Sequence, residues 1–355
     1  MIEPGGTIGI LGGGQLGRMT ALAAIALGYR CHIFCPIENS PSKLATPFAT
    51  TAAYDDQVAL GHFANAVDVI TFEFENVPAD TVEFLAERRP VRPSARALRI
   101  AQDRLDEKNF LRSIGVATAP YRGVASAEDL HSALAAIGPR AILKTVRMGY
   151  DGKGQMPIQS DADLEAVWRG FGVATGILEG FVDFACEISV VIARTPDGKW
   201  ATYTPVENQH VRGILDTTIA PARITPDTAM RAEAIARHIA ERLEIVGILA
   251  VEMFVTPQGE ILVNELAPRP HNSGHWTIDA CYTSQFEQLV RAICGLPLGS
   301  PDHHSDAIMK NLIGADIEKW REAIVDPLQK IHLYGKDVAS PGRKMGHVTT
   351  LIPRR

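Results

Sequence analysis

Over its first hundred residues the chain alternates short apolar runs with longer stretches of helical period. Residues 7–11 form an apolar run that enters a glycine-rich turn, 15–27 form an apolar-rich helix that stops at Gly28, and 30–35 read as a second strand. The same logic predicts strands over 49–53 and 68–74 and helices over 57–65 and 78–88, the latter opening with a proline in its first turn. Strand and helix in this rhythm begin a doubly wound parallel sheet, a unit that closes near residue 100.

The pattern then changes. Residues 94–114 are charged and helical and stop at Gly115, 116–125 read as extended, and Ser126-Ala127-Glu128-Asp129 opens a further helix in the manner of a capping box. A strand over 139–146 feeds a loop rich in glycine and charge, and strands over 154–158 and 176–181 flank a helix over 161–168, which makes a small α+β lobe. From Cys186 to Asn264 the strands lengthen. Turns at 196–199 and 257–260, each Pro-x-Gly-x in form, predict antiparallel hairpins packed on a helix over 227–243. Beyond Pro301, strands over 331–334 and 347–352 flank 335–345, and this tail is expected to pack on the body.

Composition narrows the function classes. A chain of 355 residues with 46% hydrophobic and 21% charged residues has material for two or three packed units. Its net charge of -6 provides no electrostatic footprint for nucleic acid or an anionic membrane, so small-molecule chemistry is expected. The five cysteines are odd in number and include no C-x-x-C pair, which argues against a disulfide framework or a structural zinc site and fits a reducing cytoplasm. The longest apolar runs are too short to span a bilayer, and residues 1–11 lack the pattern of a signal peptide.

Four stretches carry candidate chemistry. Gly12-Gly13-Gly14-Gln15-Leu16-Gly17 has G-x-G-x-x-G spacing between a strand and a helix, where backbone N–H groups can face an anion. A dinucleotide site would add an acid at the end of the second strand, but Cys35 stands there; a phosphate or ring contact and a purely structural turn remain open. Lys144 ends a strand before Arg147-Met148-Gly149-Tyr150-Asp151-Gly152-Lys153-Gly154-Gln155, whose glycines and cations resemble a lid over a triphosphate, the alternative being an exposed hairpin loop. Glu252 and Glu265 lie inside apolar strands, where an unpaired carboxylate is costly to bury; converging across a hairpin they make a hard-oxygen site for Mg²⁺, and salt-bridged to arginines they would not. Arg269-Pro270-His271-Asn272-Ser273-Gly274-His275 crowds polar side chains directly after the second of these strands, and its H-x-x-x-H spacing is a poor zinc site because Pro270 and Gly274 disfavour a helix.

Together these stretches resemble the ATP-grasp superfamily and, within it, the N5-carboxyaminoimidazole ribonucleotide synthetases, a likeness also carried by Phe72-Glu73-Phe74-Glu75-Asn76-Val77-Pro78 and by residues 264–276. It runs over essentially the whole chain. It implies an ATP-grasp fold of mixed α/β and α+β character: an N-terminal substrate domain over 1–103, a small lobe with a glycine-rich lid over 104–185, a large lobe with the metal site over 186–300, and a β-rich segment over 301–355. The resemblance places ATP against Arg104, Lys144, Gly149, Tyr150, Asp151, Gly152, Lys153, Gly154, Gln155, Glu179, Gly180, Phe181, Val182, Glu187, His210, Asn264 and Glu265, with Mg²⁺ on Glu252 and Glu265. Aminoimidazole ribonucleotide is expected against Gln15, Leu16, Glu75, Tyr150, Asp151 and Asn272, its phosphate gripped by Lys336, Arg343 and Lys344.

The implied reaction joins bicarbonate to the γ-phosphate of ATP and passes the resulting carboxyphosphate, or its CO₂, to the ribonucleotide amine. Lys144, Lys153, Arg269, His271 and Asp151 are the expected catalytic residues. A cytoplasmic homodimer is implied, with a mutase consuming the product. Two other readings are a formate-dependent glycinamide ribonucleotide transformylase of the same superfamily and a non-catalytic nucleotide-binding regulatory module. Family members often end the second strand in aspartate, so Cys35 is a departure at the substrate end.

Overall fold

The computed structural model describes residues 1–149, 153–159 and 161–354. Strands β1 (Thr7–Leu11), β2 (Arg30–Phe34), β3 (Ala49–Thr50) and β4 (Val69–Phe72) form a parallel sheet in the order β3-β2-β1-β4. Helix α1 (Gln15–Ala26) connects β1 to β2, α2 (Gln57–Asn65) connects β3 to β4, and α3 (Ala79–Ala86) follows β4. The strands are short because each alternates with a helix, and both faces of β1 and β4 are buried, so they read as continuous apolar runs. The strand predicted over 49–53 shrinks to two residues at the sheet edge, and Pro78 lies one residue outside α3, as its N-cap.

The helical stretch predicted over 94–114 is two helices, α4 (Ala95–Gln102) and α5 (Arg104–Ser113). Asp103 is extended between them, and its carboxylate caps α5 by accepting the Leu105 and Asp106 N–H groups. No glycine or proline signals this break. It matters because it puts Arg104 at a helix start facing the interior cleft.

Strands β5 (Tyr121–Val124), β6 (Arg140–Thr145), β7 (Gln155–Gln159) and β8 (Gly176–Gly180) form an antiparallel sheet in the order β5-β8-β6-β7, backed by α6 (Ala127–Ile137) and α7 (Leu164–Phe171). Ser126 caps α6 by accepting from Asp129 N–H, as its sequence predicts, while the Asp129 carboxylate accepts from the N–H of Ala125, one residue before the N-cap of a strict capping box. The helix predicted over 161–168 starts later, after Asp163, whose side chain caps it. Most of 116–125 is irregular, with only four residues in β5.

A nine-stranded sheet completes the molecule: β9 (Cys186–Arg194), β10 (Trp200–Thr202), β11 (Val206–Val211), β12 (Ile214–Ala220), β13 (Gly247–Val255), β14 (Ile261–Ala267), β15 (Ser305–Ile313), β16 (Gln329–Leu333) and β17 (Lys344–Pro353). The order is β14-β13-β9-β11-β12-β15-β17-β16, with β10 on β9. Both predicted hairpins form, β9–β10 and β13–β14. The C-terminal strands extend this sheet through β12–β15 pairing, which carries residues 336–344 back to the first sheet's glycine turn. Helix α8 (Pro226–Arg242) covers one face of β9 and β13, while α9 (Thr277–Ala280) and α10 (Gln285–Cys294) cover the other. Apolar residues on both faces make these strands a core, interrupted by Glu187 and Ser189 on β9 and by Glu252 on β13. Among the described residues no helix is long and apolar enough to cross a membrane.

Candidate active site

Parallel pairing of β1 with β4 sets the turn after β1 beside the segment after β4. There the anion at the start of α1 is the protein's own: Glu73 accepts from the Gly14 N–H and, at 2.7 Å, from the Gly17 N–H. The glycines make room for it. A Cβ on Gly14 would stand 2.6 Å from Glu73 Oε1, and one on Gly12 would collide with the same side chain while Gly12 already holds φ at +118°. Burial raises the Glu73 carboxyl above its ordinary range, against the two backbone donors and the charges of Arg269 and Lys336. A buried carboxylate here leaves no seat for a dinucleotide pyrophosphate, so the glycine spacing serves the structure of the turn. Cys35 packs beneath Gly13 and is buried, away from the cavity walls.

The principal cavity, about 590 Å³, lies between the two antiparallel sheets. Glu252 on β13 and Glu265 on β14 are direct cross-strand partners at its wall, beside a β-bulge. The arginine pairing expected as the alternative occurs on one side only, where Arg104 stands 3.4 Å from Glu265; on the other, His271 Nε2 stands 2.9 Å from Glu252. Two convergent carboxylates open to a polar cavity fit a hard divalent cation, which usually takes one or two protein carboxylates and completes its shell with water and phosphate oxygens.

Beneath this wall lies a charge cluster that the sequence reading did not find. Lys108 on α5 is buried and donates to the carbonyls of Asn264 (2.6 Å) and Val263 (3.4 Å), with Glu179 3.8 Å away. Its neighbour Glu107 accepts from Leu266 N–H at 2.6 Å. Two consecutive helix residues therefore grip the β14 backbone on either side of Glu265. Burial pushes Glu107 up to about 8, with Lys108 and Arg104 opposing and Glu265 reinforcing the shift. Adjacent Glu-Lys pairs are common on exposed helices, so only the burial of α5 distinguishes this one.

Lys144 on β6 donates to Glu179 on β8 at 2.9 Å. Burial alone would raise the Glu179 carboxyl; the ammonium groups of Lys108 and Lys144 outweigh it and hold it at about 2. Since that lies below the unfolded carboxylate value of about 4.3, the stability it contributes is complete above that pH and is lost as pH falls toward about 2. Glu179→Gln is expected to flatten this part of the acid-unfolding profile, measured by urea titrations at several pH values. An unchanged acid limb would show that the pairing adds nothing to stability.

The remaining predicted residues divide into three groups. Arg104, Lys144, Gly149, Lys153, Gln155, Glu187, His210, Asn264 and Glu265 line the principal cavity together with Gln15, Leu16, Glu75, Arg269, His271, Asn272 and Lys344. Glu187 faces His210 at 2.6 Å, and although burial alone would lower the imidazole, this carboxylate raises it. Arg269 pairs with Glu75 at 2.5 Å, and Asn272 shares two hydrogen bonds with the buried Asn311 amide. Lys336, Arg343 and Lys344 gather with Gln15 and Lys153 around a second cavity of about 390 Å³, which shares Gln15, Lys153 and Lys344 with the first.

Glu179, Gly180, Phe181 and Val182 are not in the cavity lining. The Gly180 and Phe181 N–H groups donate to the Pro120 and Arg140 carbonyls, so at the β8 end, where the resemblance implies ATP, these two donors are already engaged. Gly154, at φ +68°, supports the turn before β7 by packing on Thr145. Tyr150, Asp151 and Gly152 lie outside the described residues. His275 bonds Gln285 inside the core while His271 turns to Glu252, so the H-x-x-x-H pair does not converge.

Two lobes of antiparallel sheet around a cavity with a carboxylate pair and inward lysines define an ATP-grasp ligase. The ATP-grasp domain model matches residues 109–286, the ribonucleotide synthetase preATP-grasp domain 6–102, and the phosphoribosylaminoimidazole carboxylase C-terminal domain 307–354. The chain is 49% identical to the N5-carboxyaminoimidazole ribonucleotide synthase of Brucella melitensis, over 99% of this chain and 98% of that one, and 42% identical to the enzyme of that name from Bacillus subtilis, over 98% and 92%. It superposes on the crystal structure of an N5-carboxyaminoimidazole ribonucleotide synthetase in complex with ADP at a TM-score of 0.96 and 45% identity, covering 99% of this chain and 93% of that one. The Aspergillus clavatus synthase in complex with ADP and 5-aminoimidazole ribonucleotide matches at a TM-score of 0.93 and 31% identity, covering 99% and 94%. The chain belongs to the N5-carboxyaminoimidazole ribonucleotide synthase family.

Proposed function

We propose that the cavity carries out the ATP- and bicarbonate-dependent carboxylation of 5-aminoimidazole ribonucleotide to N5-carboxyaminoimidazole ribonucleotide, by way of carboxyphosphate, in purine biosynthesis. The carrying observation is that two cavities sharing Gln15, Lys153 and Lys344 in their linings set the Glu252–Glu265 pair and the cations Arg104, Lys144 and Lys153 beside a second cationic end at Lys336, Arg343 and Lys344. A nucleotide triphosphate suits the first end and a ribose phosphate the second.

In this reading a bicarbonate oxygen attacks the γ-phosphorus and ADP leaves. The ribonucleotide amine then attacks the carboxyl carbon, phosphate leaves, and the amine gives up a proton. Lys144, Lys153 and Arg104 stabilise the phosphate charge, with no protein nucleophile. Glu252 and Glu265 would hold Mg²⁺, which would supply neutralisation of the nucleotide phosphate charge. Arg269 and His271 hold the carboxylated intermediate. Glu75 orients Arg269, whose buried Nε has no partner among the described residues. Asn272, fixed by Asn311, orients the amine, Asp151 acting with it, and Gln15 and Leu16 floor the ribonucleotide site. The loop expected over 149–155 to act as a lid would serve to keep water from carboxyphosphate. The four-part division at 103, 185 and 300, a homodimer, a cytoplasmic location and a mutase that consumes the product complete the proposal.

ADP release from Mg·ATP, with and without bicarbonate and the ribonucleotide, tests the reading. Turnover that requires both is the expected result; turnover that requires formate and glycinamide ribonucleotide would replace the substrates. Lys344→Ala is expected to raise the ribonucleotide KM roughly 10- to 100-fold, the size of a lost charged hydrogen bond, while the ATP KM changes little. Equal effects on both constants would remove Lys344 from the phosphate site.

A further inference from the structure

A row of polar side chains crosses the apolar sheet at the level of Glu252. Ser189 on β9 is the cross-strand partner of Glu252, and Asn208 on β11 is the partner of Thr218 on β12. All three inner residues are buried, as is Ser273, which lies on the short 3₁₀ turn Asn272–Gly274 above them. Buried hydroxyls and amides are retained at such positions only when they are hydrogen-bonded, and these are bonded to one another. Thr218 Oγ1 donates to Asn208 Oδ1 (3.0 Å), Asn208 Nδ2 to Ser189 Oγ (2.9 Å), and Ser189 Oγ to Ser273 Oγ (2.6 Å).

The chain has a direction. A hydroxyl carries one hydrogen, so Ser189, having received a bond from Asn208, sends its own hydrogen to Ser273, and Ser273 sends its hydrogen to His271 Nδ1, 2.8 Å away. A second, independent donor agrees: the Ser273 backbone N–H points at the same Nδ1 at 3.3 Å, which makes His271 the N-cap of the turn. An imidazole nitrogen that accepts an N–H bears no hydrogen itself. The ring hydrogen is therefore on Nε2, which faces Glu252 Oε1 at 2.9 Å.

We propose that Thr218, Asn208, Ser189 and Ser273 are positioning residues, a one-way hydrogen-bond chain that fixes His271 with Nδ1 as acceptor and Nε2–H on Glu252, and so fixes the carboxylate that faces the cavity. The effect on the reaction rests on the assignment of Glu252 to the metal side of the site; the tautomer does not. Outer partners that orient a ligating group are typically worth about 10- to 100-fold in metal affinity or activity.

The test uses the full chain, ligand-free, with ¹⁵N-labelled histidine. Two-bond ¹H–¹⁵N spectra at neutral pH report the tautomer of each ring, and the His271 signals are identified by their loss in His271→Gln. The expected result is a single Nε2–H tautomer for His271 that becomes mixed in Ser189→Ala and in Ser273→Ala. In both variants the Mg²⁺ concentration for half-maximal ADP release should rise about 10-fold, with the ribonucleotide KM unchanged. An Nδ1–H or doubly protonated ring in the wild type, or a tautomer indifferent to both substitutions, would overturn the chain. A tautomer that shifts while the magnesium dependence stays put would uphold the chain and overturn the assignment of Glu252.

Discussion

Glu265→Gln is expected to lower ADP release about 10²- to 10³-fold at ordinary magnesium, the usual cost of removing one positioned electrostatic group from an active site, with partial recovery as magnesium is raised. The amide keeps the shape of the side chain but loses the charge that draws a cation to the cross-strand pair. Stability should change little, because Glu265 is partly exposed and its ion pair with Arg104 is a loose 3.4 Å contact. Steady-state turnover over a magnesium titration, together with thermal unfolding, separates the two effects. Near-normal turnover at ordinary magnesium would take Glu265 out of the metal site. A loss that tracks unfolding would make it a structural residue.

The largest effect on stability is expected from Lys108→Met. Methionine fills similar space without charge, leaving the Asn264 carbonyl without its 2.6 Å donor and Glu179 with Lys144 as its remaining close cation. Breaking a buried pair from one side typically costs about 3–5 kcal/mol, because the surviving charge stays buried and uncompensated. Urea unfolding should show a loss of that order. Adding Glu179→Gln to the same chain should recover part of it, since residues in one network do not act additively. A Lys108→Met protein as stable as the wild type would mean that the α5 grip on β14 carries no energy.

Much of this molecule was legible because its signals are local. The 3.6- and 2-residue periods, the capping sequence at Ser126 and the two Pro-x-Gly-x turns act within a few residues, so the helices and hairpins they predict are present. The break at Asp103 was missed because an aspartate cap inside a charged helical stretch resembles any other polar residue until the chain turns there. Glycine spacing at 12–17 was equally ambiguous: it marks a close approach to the backbone without naming what approaches.

The sequence by itself determined the alternation of strand and helix in the first hundred residues and both hairpins, the class of chemistry in its inward lysines and paired glutamates, and, through the combination of motifs, the family. Tertiary structure decided which groups meet. It put Glu73 rather than a phosphate on the Gly14 and Gly17 N–H groups, set Glu107 and Lys108 against β14, and aligned Ser189, Asn208 and Thr218 behind His271. The reason is physical. A helix or turn is stabilised mainly by neighbours in the chain, whereas the charge state and orientation of a buried polar group depend on partners distant in sequence, such as Arg104 and Glu265, 161 residues apart, and these are fixed only once the sheets pack.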